Sequence, residues 1–283
     1  MTQKTWKTNV FIACMLLPAL ILALGIILVP MINVFIQSLQ DGNGNFSLEQ
    51  YYFLFTDKLA LQNLWYTVWI TVVTVAGAIT ISYLLALYLR FSDSKISKVI
   101  STVYLLPRFV PHLVAIYAMM TVVRDSGFLN RLSQLFGYNF KPGLLYNAKG
   151  IIMMNLWFNI AFATMIIVAA LAGIPNSIIE SSRDVGAGRI YTFFKMVLPL
   201  SIKDVLVAMT FIFMSNISSF TTPYIIGPNH PKMFGVYLRD QFSKMRYERA
   251  AAVSVLIFAF SSISAIVYLY TNLKEKEWEK TGL

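Results

Sequence analysis

Five long runs of this sequence contain no Asp, Glu, Lys or Arg. They cover residues 8–40, 59–89, 150–179, 205–231 and 250–273, and a sixth run, 99–123, is interrupted only by Arg108 and His112. Each run exceeds the ~20 residues with which a helix crosses the ~30 Å hydrocarbon core of a bilayer. The pattern therefore predicts an all-α, polytopic membrane protein with six transmembrane helices, at about 10–36, 63–89, 99–123, 150–172, 204–226 and 251–272.

The composition supports this prediction and excludes other classes of protein. Hydrophobic residues make up 57% of the chain and charged residues 13%, whereas a soluble domain carries roughly 25% charged residues. The net charge of +10 resides mainly in the loops, so we expect membrane lipid rather than nucleic acid as its partner. Cys14 is the only cysteine, and His112 and His230 are far apart, so we predict neither a disulfide nor a metal site.

The charges in the loops also predict an orientation. The segment before the first span is basic, and loop 37–62 has Lys58 as its one basic residue against three acidic ones. Both features favour an N-terminus inside the cell, although the count of Lys and Arg over all segments favours it by only 12 to 10. Six spans then return the C-terminus to the cytoplasm of a bacterial cell. We divide the chain into a first helix with its outer loop, residues 1–62, and a core, residues 63–283.

The segment between the fourth and fifth spans has the signals of two short helices. Pro175 keeps the chain extended, and Asn176 or Ser177 is a candidate cap for a first helix, from Ser177 to about Val185. Gly186 would end that helix in a left-handed conformation. A second helix would follow and end near Leu198 and Pro199. We expect an amphipathic helix–turn–helix outside the bilayer, anchored by Ile178, Ile179, Val185, Ile190, Phe193 and Phe194.

This segment resembles the coupling loop of permease subunits of binding-protein-dependent ABC importers. That loop has the pattern E-A-A, three residues, G, nine residues, I, any residue, L-P. Glu180, Gly186, Leu198 and Pro199 stand at the matching positions, while Ser181 and Ser182 replace the two alanines and Met196 replaces the isoleucine. The resemblance extends over about residues 60–283.

The resemblance implies a permease subunit of a type I ABC importer, whose loop 173–203 is cytoplasmic and docks on a separate ATPase. It implies two ATPase subunits that bind ATP and Mg, a second and different permease chain, and an extracytoplasmic solute-binding protein. This chain has no G-x-x-x-x-G-K-[ST], G-x-S-x-G or H-E-x-x-H motif, so we predict no enzyme activity and no cofactor of its own. The residues implied in coupling are Glu180, Ser181, Ser182, Asp184, Gly186, Ala187, Leu198 and Pro199.

Polar side chains within the predicted spans are candidates for a solute pathway. Arg108 lies ten residues from Lys98, about 15 Å along a helix, and therefore near the centre of the bilayer. Pro107 and Pro111 would free backbone carbonyls around it that line a cavity. A spacing of four residues places Arg108 with His112, and Asn155 with Asn159, on one helix face. Asn216, Ser219 and Pro223 follow one face of the fifth span. The candidate set is Arg108, His112, Asn155, Asn159, Asn216, Ser219 and Thr222. Two alternatives remain open: hydrogen bonds between helices for the amides and hydroxyls, and snorkelling or an ion pair with a partner subunit for Arg108.

Two short sequences bear on the solute. Residues 183–187, Arg-Asp-Val-Gly-Ala, and the Thr-Pro pair at 222–223 followed by Gly227 resemble the polyamine, iron, thiamine and phosphonate branch of these permeases. We therefore predict a small charged solute, with a sugar or acidic-sugar permease as the alternative. If Arg108 faces the pathway, it favours an anion or zwitterion over a polyamine. A six-helix secondary carrier is a further alternative, but it would need an intramembrane carboxylate. None of the predicted spans has an Asp or Glu in its middle, and Asp204 lies at the edge of one.

Overall fold

The computed structural model describes residues 2–273, and their secondary structure is helical apart from one isolated β-bridge between Gln40 and Phe46. Residues 274–283, which we predict to be cytoplasmic, lie outside the described residues. The helices are α1 (Thr2–Ser38), α2 (Glu49–Thr56), α3 (Lys58–Phe91), α4 (Lys95–Val103), α5 (Leu106–Phe109), α6 (His112–Val123), α7 (Phe128–Gln134), α8 (Ala148–Ala172), α9 (Asn176–Asp184), α10 (Arg189–Thr192), a π-helical turn (Phe193–Val197), α11 (Leu198–Ile217), α12 (Thr221–Ile226), α13 (Phe234–Ser243) and α14 (Tyr247–Leu273).

The described helices agree with the six predicted spans. Five are long and apolar enough to cross a membrane, and one bent pair makes a sixth if it is counted as a single span. The five spans that are not bent pairs are Cys14–Ser38, Lys58–Phe91, Ala148–Ala172, Arg189–Ile217 and Tyr247–Tyr270.

The third span is not the single helix that we predicted over 99–123. Its two parts, Lys95–Phe109 and His112–Gln134, are bent by 109° at the break. Val110 there is extended, with φ −88° and ψ 128°, because the ring of Pro111 disfavours a helical conformation in the residue before it. Arg108 and His112 therefore belong to different helices, and the prediction that they share one helix face was wrong.

The fifth span also differs from its predicted bounds of 204–226. Its helix ends at Ile217, and α12 begins only at Thr221. Pro223 explains the break, because it has no N–H for the carbonyl of Ser219 and its ring would collide with that carbonyl in a continuous helix. The prediction that Asn216, Ser219 and Pro223 follow one helix face was therefore wrong.

The helix after the turn at Gly186 does not end near Leu198 and Pro199, contrary to the prediction. The helical path runs from Arg189 to Ile217, and the π-helical turn precedes the proline. Within it the N–H of Leu198 donates to the carbonyl of Phe193, five residues back. Such a turn widens the helix where the ring of Pro199 would otherwise meet a carbonyl one turn earlier.

The described residues form two compact units, the first of which contains residues 2–57 and 238–256. Within it the hydroxyls of Ser38 and Tyr51 are 2.7 Å apart. The guanidinium of Arg249 donates to Gln50 at 3.1 Å and lies 3.6 Å from the ring centroid of Phe53. No residue in the most apolar window of α1 is buried, so this surface is suited to lipid or to another chain.

The second unit contains residues 58–237 and 257–273. Its core lies where α3 packs along α8 and α11. Small residues allow this close approach, as expected within a membrane. A Cβ on Gly77 would lie 3.1 Å from Cδ2 of Leu156. Buried members of this core include Val75, Ala78, Ala86, Ala163, Ile167, Leu171, Val205, Ala208 and Ile212.

Candidate functional site

A cavity of about 430 Å³ lies within the second unit, where the two helix breaks meet α8. The break between α5 and α6 contributes one wall, the middle of α8 the second, and the end of α11 with the start of α12 the third. Amides, hydroxyls, one guanidinium and two phenyl rings share this space. The lining residues are Pro107, Arg108, Val110, His112, Asn155, Phe158, Asn159, Ser215, Asn216, Ser219, Phe220 and Thr221.

Six of the seven residues predicted for a solute pathway line this cavity. The seventh, Thr222, is buried, and its hydroxyl lies 3.3 Å from Nε2 of His112. The ring of His112 also packs edge-on against Phe158, with 4.2 Å between the ring centroids. These contacts join the start of α6 to α8 and α12. The set is therefore brought together in space, while its role in solute passage stays a prediction.

Arg108 is held at the cavity by an aromatic ring. Its guanidinium carbon lies 5.1 Å from the ring centroid of Phe162 on α8, a distance at which a cation is attracted to the face of the ring. No ion pair between Arg108 and a carboxylate occurs within residues 2–273. The positive charge of Arg108 is therefore not neutralised within the described part of the chain.

Asn155 and Asn216 are both buried, but their amide groups differ in their partners. The side-chain nitrogen of Asn216 donates to the carbonyl of Ile212 at 2.7 Å. The side-chain nitrogen of Asn155, a residue only 4% exposed, has no hydrogen-bond partner among the described residues. An unpaired buried donor costs about 1–3 kcal/mol. The amide of Asn155 is thus a donor without an acceptor at the wall of the cavity.

Sequence reasoning missed several residues around the cavity. Phe158, Ser215, Phe220 and Thr221 line it, although Ser215 and Thr221 adjoin residues that were predicted. Gly235 packs against the break between α11 and α12. A Cβ on Gly235 would lie 2.5 Å from the carbonyl oxygen of Ser219.

Two residues of α3 were also missed. The side chain of Asn63 accepts the N–H of Lys232 at 2.7 Å, and the hydroxyl of Thr67 accepts the N–H of Phe234 at 2.8 Å. These two hydrogen bonds fix the segment that follows α12 against α3. Asn63, Thr67, Thr71 and Thr74 are all buried, and their spacing of four, four and three residues could have identified this stripe from the sequence.

The turn between α9 and α10 has the predicted conformation. Gly186 has φ +82°, which confirms the left-handed prediction. Its N–H donates to the carbonyl of Arg183 at 2.8 Å, and the N–H of Ala187 donates to the carbonyl of Ser182 at 3.0 Å. These two bonds form a Schellman motif, which satisfies carbonyls at the end of a helix.

The start of α9 differs from the prediction of a side-chain cap. The helix begins after Pro175 with no side-chain hydrogen bond at its cap. The carbonyl oxygen of the Asn176 side chain instead accepts from the guanidinium of Arg90, which also donates to the backbone carbonyl of Leu171 at 3.1 Å. Arg90 therefore ties the junction of α8 and α9 to the end of α3.

The predicted coupling residues divide between the surface and the interior. Glu180, Ser181 and Asp184 are exposed, as is Pro199, while Ala187 and Leu198 are half-buried. Ser182 is buried, with its hydroxyl 2.7 Å from the carbonyl of Ile179 and 3.0 Å from the hydroxyl of Thr192, so it joins α9 to α10.

The predicted apolar anchors also divide. Ile179 is buried, and Phe193 packs edge-on against Tyr83 at 5.7 Å between the ring centroids. Val185 and Ile190 are 84% and 75% exposed, and Phe194 is also exposed. The turn thus presents apolar side chains on a surface that also carries Glu180 and Asp184. Beside it lies a second cavity, of about 570 Å³, lined mainly by apolar residues with Arg183 and Arg189.

The described residues contain no group of three or more His, Cys, Asp or Glu that could hold a metal ion.

The sequence matches the family of binding-protein-dependent transport system inner membrane components over residues 78–279. The chain belongs to this family. It is thus a permease component of an ABC importer in the inner membrane, and the relatives that it resembles are transport permeases rather than enzymes.

Relatives of this permease come from more than one solute branch. It is 30% identical to the sulfoquinovosyl glycerol transport system permease protein of Agrobacterium fabrum over 78% of this chain and 74% of that one. It is 19% identical to the spermidine/putrescine transport system permease protein of Escherichia coli, over 79% and 82% of the two chains. Neither branch is therefore selected by sequence similarity alone.

Solved structures support the fold of this permease. It is similar to a chain of a bacterial ABC transporter involved in the import of the acidic polysaccharide alginate, with a TM-score of 0.80, 19% identity, and coverage of 97% of this chain and 98% of the other. A chain of a methionine ABC transporter in an inward-facing conformation gives a TM-score of 0.57 at 15% identity, covering 80% of this chain and 99% of that one.

Proposed function

We propose that this permease forms part of the solute pathway of an ATP-driven importer, and that the pathway passes through the cavity at the two helix breaks. The observation that carries the proposal is the meeting of six polar residues from three spans at that cavity. Polar side chains are costly within a membrane unless they face a cavity or one another. Broken helices at membrane depth are tolerated where they line such a cavity, and they mark substrate sites in other transporters.

The proposal assigns ATP-dependent coupling to segment 173–203. The exposed apolar side chains of Val185, Ile190 and Phe194, together with the acidic groups of Glu180 and Asp184, form the surface that docks on an ATPase subunit. Exposed apolar side chains grouped in this way are typical of interaction surfaces. Both termini and this segment are then cytoplasmic. Two ATPase subunits bind ATP and Mg, a second and different permease completes the pathway, and an extracytoplasmic binding protein delivers the solute.

The solute that the cavity favours is a saccharide or saccharide derivative. Amides and hydroxyls that donate and accept hydrogen bonds suit the hydroxyl groups of a sugar, and the rings of Phe158 and Phe220 suit its apolar face. The similarity to a sulfoquinovosyl glycerol permease agrees with this class. A polyamine is disfavoured, because Arg108 is positive and none of the described lining residues carries a carboxylate.

The test is uptake into proteoliposomes that contain the permease with its ATPase and partner permease. The binding protein is first screened by thermal shift against a neutral disaccharide, a uronic-acid disaccharide, spermidine and thiamine. Uptake of the stabilising compound should require ATP and the binding protein. Ser215→Trp, which fills the cavity from α11, should abolish uptake while the complex still assembles.

Met209→Trp is the matched control, because Met209 lies on the same helix, is 36% exposed and does not line the cavity. Equal uptake by the two tryptophan variants would place the pathway elsewhere. Stabilisation of the binding protein by spermidine or thiamine alone would overturn the proposed class of solute.

A further inference from the structure

We infer that the cavity contains an anion-binding subsite, formed by Arg108, the side-chain amide of Asn155 and the N-terminus of α6, which takes the carboxylate or sulfonate group of the solute. The inference rests on the proposed pathway and adds the acidic character of the solute. Three independent features of the cavity carry it.

The first feature is the fixed position of the Arg108 charge. Its guanidinium is held 5.1 Å from the ring centroid of Phe162, which limits the positions that the charge can take. A guanidinium is a cation that presents a planar set of donors, and this set matches a carboxylate or sulfonate. Within the membrane its field is screened less than in water, so a bound anion there is strongly favoured.

The second feature is the unpartnered amide of Asn155. Asn155 is 4% exposed, lies on α8 opposite the α5–α6 break, and lines the same cavity as Arg108. Its side-chain nitrogen has no acceptor among the described residues. Asn216 does not share this property, because its nitrogen is bonded to Ile212. A solute oxygen that accepts from Asn155 would remove the free-energy cost of the unpaired donor.

The third feature is the start of α6, a helix of 12 residues. Pro111 precedes this helix, and its two neighbours, Val110 and His112, line the cavity. The first backbone bond of the helix runs from the N–H of Ala115 to the carbonyl of Pro111 at 3.0 Å, so the N–H groups of residues 112–114 have no acceptor within the helix. The N-terminus of a helix carries partial positive charge and favours anions.

None of the remaining described side chains that line the cavity carries a negative charge. The other polar lining groups are amides, hydroxyls and the imidazole of His112, and none of the described lining residues is acidic. A neutral sugar would satisfy Asn155 but would leave the charge of Arg108 unbalanced. An acidic sugar derivative would accept a hydrogen bond from Asn155 and also balance the charge of Arg108. For this reason the geometry points to a carboxylate or sulfonate group.

The test measures the electrostatic potential in the cavity directly and needs no knowledge of the solute. A cysteine replaces Ser219, which lines the cavity, in a Cys14→Ser background of the purified complex. Its rates of modification by sulfonatoethyl methanethiosulfonate, an anion, and by the trimethylammonioethyl reagent, a cation, are followed by the mass of this chain. A cysteine at the exposed residue Asn45 serves as the reference site.

The anion-to-cation rate ratio at position 219 should exceed that at position 45. Arg108→Gln should lower it roughly tenfold, from the loss of one nearby charge in a medium of low dielectric constant. Arg108→Lys should retain it. Asn155→Asp adds a negative charge with almost no change of shape, so it should also lower the anion-to-cation rate ratio. Asn155→Leu adds no charge and should change the ratio less. A ratio at position 219 that neither Arg108→Gln nor Asn155→Asp alters would overturn the subsite.

Uptake separates this inference from the function on which it rests. If the wild-type complex shows no ATP-driven uptake of any binding-protein ligand, the proposed pathway fails. If uptake of a uronic-acid disaccharide is normal in both Arg108→Gln and Asn155→Leu, the pathway stands and the anion subsite is rejected. The expected result is loss of that uptake in both variants, with assembly and thermal stability unchanged.

Discussion

Asn63 and Thr67 show how single side chains determine the position of a whole segment. They lie one turn apart on α3, and each accepts a backbone N–H from the segment after α12. The hydroxyl of Thr67 also donates to the carbonyl of Asn63 at 2.7 Å. Both residues are buried, so water cannot replace the bonds that they make.

Thr67→Val should destabilise the protein by about 1–3 kcal/mol, because a nearly isosteric side chain would leave the buried N–H of Phe234 without an acceptor. Thr71→Val is the matched control. Thr71 lies on the next turn of the same face, and its hydroxyl has no partner within residues 2–273, so this change should be neutral or stabilising. The midpoint of thermal unfolding in detergent measures both. Equal shifts would show that the bond to Phe234 contributes nothing.

At the residue scale the sequence identified candidate polar residues better than it identified their contacts. Six of the seven pathway candidates meet at one cavity because polar side chains within a membrane avoid lipid, a constraint that acts on each residue alone. The partners of Asn63 and Thr67 lie 169 and 167 residues away, and no local pattern encodes such a pairing.

The helix–turn–helix of α9 and α10 depends on the backbone conformation of one residue. Gly186 has φ +82° with no heavy atom within 4 Å of a Cβ built on it, so the constraint is the dihedral angle rather than space. A side chain there costs roughly 1–2 kcal/mol, and a β-branched one more. Gly188, two residues later, also has open space around it but has φ −67° and ψ 160°, a conformation that valine readily adopts.

Gly186→Val should therefore abolish both uptake and solute-stimulated ATP hydrolysis in proteoliposomes, with the protein still inserted and assembled. Gly188→Val should leave both close to wild type. Normal coupling in Gly186→Val would remove this turn from the transport mechanism. Loss of coupling in both variants would instead indicate that the surface tolerates no added bulk.

Among the elements, the spans were predicted and the breaks within them were not. Long apolar runs identify helices through burial in lipid, whatever their internal geometry. Pro111 and Pro223 then interrupt two of them, and a proline in a membrane helix produces either a kink or a full break according to its neighbours. Pro18 and Pro30, in contrast, do not break their helix, since both lie within the continuous helix α1.

For the whole molecule, we predict that both termini and segment 173–203 lie in the cytoplasm and that 37–62 and 227–250 lie outside. Single cysteines at Asn45, Ser177 and Asn229, three exposed positions, can be placed in a Cys14→Ser background. An impermeant thiol reagent should label positions 45 and 229 in intact cells and position 177 only after lysis. Labelling of position 177 in intact cells would contradict this topology.

The number of spans and the family followed from the sequence, but the division of the described chain into two units did not. Residues 238–256 belong with residues 2–57 rather than with the helices that precede them. Charge-free runs report only that a segment is apolar, and they do not report which segments pack together.

The uninterrupted helical path from Arg189 to Ile217 has a mechanical consequence. It carries Ile190 at the exposed turn and Asn216 at the cavity, and the 26 steps from one residue to the other span about 39 Å at 1.5 Å per residue. A tilt of about 5° at one end of such a lever would displace the other by about 3 Å. Under the proposed function, a movement imposed by an ATPase at the exposed turn would be transmitted to the cavity along this path, and the π-helical turn at Phe193–Val197 is the place within it where bending is easiest.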